Sequence, residues 1–108
     1  MVELDYASDI RKYTPNVDAA FVAGIIQHLG IALKGRDSSL VACSEKSERD
    51  RIRDHFLKKK LGLAHADADL DKAIIDTCQK MAKDQDKPRV TFYYLLAEKF
   101  GKLGALAK

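Results

Sequence analysis

The sequence has little of what would mark an enzyme, a secreted scaffold or a membrane protein. It holds 2 cysteines, Cys43 and Cys78. A disulfide-stapled secreted domain packs more of them into a shorter chain. The two therefore read as free thiols, buried as small hydrophobes. The longest apolar run, Ala19 to Ile26 with Gly24 inside it, is 8 residues, against the ~20 of a membrane span. The opening Met1-Val-Glu-Leu-Asp5 puts acids where an export signal has basic residues and an apolar run. The expectation is a cytoplasmic protein with no membrane contact. No stretch alternates apolar and polar residues between turn signals, and no Asn-Gly or Asp-Gly hairpin occurs.

What is present is an ordinary globular balance. Hydrophobic residues are 46% and charged residues 32% of 108, too apolar for intrinsic disorder. That length suits one core, so residues 1–108 read as a single helical domain.

Helix signals recur along the chain. The first helix is expected from Asp5 to Tyr13, with Tyr6, Ile10 and Tyr13 on one side. Thr14 reads as the cap of a second helix, with Pro15 at its first position. That helix is expected to reach about Lys34, with Phe21, Ile25, His28, Leu29 and Ala32 inward. Ser38 to Ala42 reads as a short helical turn. A third helix follows a weak Ser47/Asp50 capping box and stops at Gly62. Its apolar stripe is thin: Ile52 and Phe56, with Leu57 and Leu61 turned to another side. In the fourth, Asp67 is the expected cap, and Leu70, Ala73, Ile74, Thr77, Cys78 and Met81 share one face. The fifth runs from Pro88 to Phe100 with only a narrow polar strip of Thr91, Glu98 and Lys102. A helix apolar nearly all round is buried on most sides. The expectation is an all-α, compact bundle of about five helices with the C-terminal helix (about 88–100) central.

The runs SERDRIRDHFLKKKLGL (Ser47 to Leu63) and RVTFYYLLAEKFGKL (Arg89 to Leu103) resemble a small bacterial family known only as a domain of unknown function. DYASDIRKYT (Asp5 to Thr14) and HLGIAL (His28 to Leu33) resemble it too. The resemblance implies a stand-alone all-helical bacterial cytoplasmic protein. It implies no activity, cofactor or catalytic residue.

Candidate chemistry is sparse. Cys43, Cys78, His28, His55 and His65 include no C-x-x-C or H-x-x-x-H pair, so no metal site is expected. His28, in the middle of an apolar face, reads as a core histidine. Cys43, near the positive end of the third helix, is the better of the two thiols for nucleophilic chemistry. No histidine is placed beside it by local spacing, so no catalytic residue is assigned. No Gly-rich phosphate loop occurs and no cofactor is expected.

The net charge of +3 is uneven. Residues 1–54 hold 8 basic and 9 acidic groups, and residues 55–108 hold 11 and 7. Arg53, Lys58, Lys59, Lys60, Lys99 and Lys102 form a possible basic contact patch. Pairs such as Glu45–Arg49 and Asp54–Lys58 are spaced to satisfy one another on one helix face. A helix-turn-helix reading of the third and fourth helices fails, because Asp67, Asp69 and Asp71 would face phosphates. The leading expectation is a non-enzymatic interaction domain with a protein partner or self-association, a homodimer being one form. It rests on the excess of apolar surface on the second, third and fifth helices. The alternatives are weak sequence-independent nucleic-acid binding through the basic patch and a small thiol-dependent enzyme.

Overall fold

A computed structural model describes residues 6–14, 17–30, 40–82 and 87–104. Its helices are α1 (Tyr6–Arg11), α2 (Ala19–Leu29), α3 (Lys46–Arg51), α4 (Asp67–Lys80) and α5 (Arg89–Lys99). α3 runs on without a break into a π-helical segment, π1 (Ile52–Lys60). The protein is an all-α bundle, with a radius of gyration of 12.8 Å. Among the described residues the only extended pairing is one antiparallel bridge, Leu40 to Pro88.

α5 is the centre of the bundle. Every residue from Arg89 to Ala97 is buried, and α1, α2 and α4 all pack on this helix. Its apolar excess is thus consumed inside the molecule. Of the expected polar strip Lys102 is exposed, Glu98 half-buried and Thr91 buried. Thr91 is fully buried and donates to the Asp9 carboxylate on α1. Glu98 accepts from the Thr14 hydroxyl at 2.9 Å. These polar groups tie α5 to the N-terminal segment, which a helix wheel for one helix cannot show. Gly101, at φ 68°, ends the helix, and the Lys102 N–H closes back on the Ala97 carbonyl at 2.8 Å.

The N-terminal caps differ from expectation. Thr14 is spent on Glu98, and Asp18 caps α2 by accepting from the Ala20 N–H at 2.8 Å. Pro15 lies outside the described residues. α2 stops at Gly30, at φ 50°, and the expected stretch from 31 to 34 is likewise outside them. Val22 and Ile25 are its buried residues, while His28 is exposed. The inward stripe is therefore rotated away from His28, whose ring only leans on Phe56 at 5.9 Å. α4 starts at Asp67, with Ala66 in the cap position and no side-chain cap. Its buried face, Leu70, Ala73, Ile74 and Thr77, is the one expected.

The third helix departs most from a wheel drawn at 100° per residue. Ile52, Phe56, Leu57 and Leu61 are all buried. Ile52 and Leu57 are five apart, as are Phe56 and Leu61. An α-helix would turn such partners about 140° from each other. A π-helix bonds i to i+5 and lines them up. The Leu61 N–H donates to the Phe56 carbonyl at 2.9 Å, the bond that this register requires. Gly62, at φ 68°, then stops the helix.

Candidate functional site

Three of the six residues of the expected basic patch, Arg53, Lys58 and Lys99, are paired with carboxylates. The Arg53 guanidinium, mostly buried, contacts Asp54 at 2.9 Å, Asp71 at 3.1 Å and Asp50 at 3.3 Å. It fastens the start of π1 to the first turns of α4. Lys58 makes a close ion pair with Asp67 and a looser one with Asp54 at 3.8 Å. Lys99 reaches Asp76 of α4 at 3.8 Å. Lys59, Lys60 and Lys102 have no carboxylate within 4 Å among the described residues. The Asp54–Lys58 pair forms as expected. Arg49 does not turn to Glu45; it donates to the Cys43 carbonyl at 2.6 Å. The network holds the Asp50 and Asp54 carboxyls below their ordinary values, through hydrogen bonds from Lys46 and Arg53 respectively. The partial cover of His28 and the charge of Lys60 lower that imidazole too. Among the described residues no group of three or more His, Cys, Asp or Glu is placed to hold a metal ion.

The cysteines overturn the free-thiol reading. Cys43 and Cys78 are joined as a disulfide, with their Cα atoms 6.0 Å apart. Spacing along a helix carries no information on contact between residues so far apart in sequence. The bond crosses from a short strap, residues 40–45, to the last turn of α4. The strap has further anchors. The Val41 N–H donates to the Lys87 carbonyl at 2.8 Å. Arg89 donates to the Leu40 carbonyl at 2.9 Å, and Arg49 holds the Cys43 carbonyl as above. The strap thus replaces the helical turn expected up to Ala42; Ser38 and Ser39 lie outside the described residues.

Arg89 is the hub beneath it. Its buried guanidinium makes a close ion pair with Glu48 of α3 and approaches the Tyr93 hydroxyl at 3.3 Å. Burial alone would lower its pKa, yet Glu48 and Tyr93 hold it above the ordinary value. Tyr93 stacks on Phe56, ring centroids 4.1 Å apart. Burial pushes its phenol up. In the sequence Arg89 is one of the 11 basic groups of residues 55–108, outside the expected patch. Its position at the start of an all-apolar helix was the one signal that its charge needed a buried partner.

Around the disulfide lies an open cleft of about 450 Å³, lined by Cys43, Cys78, Arg49, Ile75, Gln79 and Lys87, with Ala82 at its edge. Ile75, Cys78 and Gln79 come from one face of α4, at spacings of three and four. Ile75 is 43% exposed, and it and Ile26 are the large apolar side chains left in solvent among the described residues. Both cysteines are half-buried, packed against the core on one side and lining this cleft on the other.

Fold and site together define a small all-helical protein with an open cleft lined by its disulfide, an exposed isoleucine and two cations. The chain belongs to the family described as protein of unknown function DUF2853, which matches residues 5–104. None of the curated proteins matches the chain. No helix among the described residues is long and apolar enough to cross a membrane.

Proposed function

We propose that this protein is a non-enzymatic interaction domain that takes a partner protein's segment in the cleft between the strap and α4. The occupant is a peptide that presents a branched apolar side chain beside a carboxylate. The observation that carries this reading is that Ile75, the most exposed large apolar side chain of the described residues, lines one cleft with the cations Arg49 and Lys87. The apolar anchor meets Ile75, and the carboxylate meets the two cations, which gives orientation and encounter rate more than raw affinity. A stable dimer buries about 1,600 Å² in all. Two separate exposed isoleucines offer far less, which favours a small, transient contact over self-association.

The test is a peptide phage selection against the full chain, followed by calorimetry on the winning peptide. Acidic–apolar sequences are expected. Ile75→Ser should weaken their binding about threefold to tenfold, since fully burying such a side chain is worth roughly 1.5–3 kcal/mol and 43% of this one is exposed. Ile26→Ser, on α2, should leave it unchanged. Equal effects of the two substitutions, or selections with no acidic preference, refute the assignment.

Nucleic-acid binding is the competing reading, and Lys59, Lys60 and Lys102 are the cations that support it. Three phosphate contacts would give a logarithmic salt slope of roughly −3 on duplex DNA. Absence of binding at low salt ends it.

A further inference from the structure

We propose that Cys43–Cys78 is a thiol–disulfide exchange site for a dithiol reductant, and that its redox state sets the shape of the cleft. The second half of this proposal rests on the docking reading above; the exchange chemistry does not.

Three observations carry it. First, the disulfide lines an open cleft and both cysteines are half-buried. A disulfide that serves only as a staple can be sealed in the core, whereas exchange needs a path for an attacking thiolate to a sulfur atom. Second, Arg49 and Lys87 line the same cleft. Neighbouring cations favour thiolates, so both the leaving sulfur and the reduced pair are stabilised as anions. Third, the strap does not depend on the disulfide alone. Val41 is bonded to Lys87, Leu40 to Arg89, and Cys43 to Arg49 through its carbonyl. After reduction these bonds keep Cys43 beside α4, where reclosure is intramolecular.

The step balances as follows. One thiolate of the external dithiol attacks a sulfur of the pair, forms a mixed disulfide and expels the other cysteine as thiolate. The reductant's second thiol, as thiolate, then attacks the mixed disulfide and frees the first cysteine. Two electrons pass to the protein, the reductant ends as its own disulfide, and its two protons pass to the two cysteine thiolates or to solvent. The two sulfurs, no longer bonded, must separate to non-bonded contact, and the strap moves relative to Ile75.

The test uses the oxidised full chain and dithiothreitol in native buffer. Alkylation with mass spectrometry follows the thiols, and hydrogen exchange follows the backbone. Complete reduction without denaturant is expected, with a cooperative fold retained and faster exchange confined to residues 40–45 and the last turn of α4. Reoxidation should restore the starting pattern. Reduction that needs urea, or that unfolds the whole chain, overturns the proposal. The selected peptide is then titrated against both forms, with at least a fivefold difference in affinity expected. Equal affinities refute the gating and leave the exchange site standing. If no peptide binds either form, the docking reading fails, and the thiol counts alone judge the exchange.

Discussion

Replacing both cysteines, as in Cys43→Ser/Cys78→Ser, should destabilise the protein by about 4 kcal/mol. The cysteines are 35 residues apart. Closing a loop of that size removes about 13 cal/mol/K of entropy from the unfolded chain, or about 4 kcal/mol at 25 °C. The folded state loses little else, because the strap keeps its bonds to Lys87, Arg89 and Arg49. For a chain of 108 residues, about 4 kcal/mol corresponds to a fall in melting temperature of roughly 15 °C. Native proteins are stable by about 5–15 kcal/mol, so the variant should still fold. Urea titrations of the oxidised protein and the variant, fitted with separate slopes, measure the difference. The variant's slope should be the larger, since its unfolded chain exposes more surface. A loss under about 1 kcal/mol with equal slopes refutes the reasoning. It would mean that the unfolded chain already holds these segments together.

Three more expectations follow from the ion pairs and the turns. Arg89→Met should cost about 3 kcal/mol in urea, because it leaves the largely buried Glu48 with the longer Arg51 contact at 3.9 Å as its remaining ion pair among the described residues; adding Glu48→Gln should recover a large part of that loss. Asp50 and Asp54 have folded pKa values below the ordinary 3.8, so their contribution is present above that pH and lost as pH falls through the folded values. Arg53→Gln should raise the Asp54 pKa toward normal in a carboxylate-detected NMR titration, and an unmoved Asp54 would contradict the assigned pairing. Gly62→Ala should cost about 1–2 kcal/mol by thermal melting, from the positive φ alone, since nothing lies within 4 Å of an added Cβ.

The central helix was legible from the sequence because its signal is local. An apolar surface nearly all round α5 leaves few arrangements other than burial. The stops at Gly62 and Gly101 and the buried face of α4 were legible for the same reason. The candidate site was not, because it depends on contacts between distant segments. Cys43 meets Cys78, Arg89 meets Glu48, and Leu40 meets Pro88 across stretches that no helical period spans. Arg53 and Lys58 read as a basic patch because their partners, Asp67 and Asp71, stand on the next helix. The same acids were counted as a reason against DNA reading. In the folded chain Asp67 pairs with Lys58 and Asp71 with Arg53 of the preceding helix.

The π-helical segment makes two surfaces of π1 depend on one register. On one side it lines up Ile52 with Leu57 and Phe56 with Leu61 in the core. On another it aims Arg53 and Lys58 at the acids of α4. Tightening the segment to an α-helix would turn each successive side chain further round the axis, so the error would grow along its length. Core and charge network would go out of alignment together. This stretch therefore behaves as a meshed gear, intolerant of a single residue gained or lost between Ile52 and Leu61.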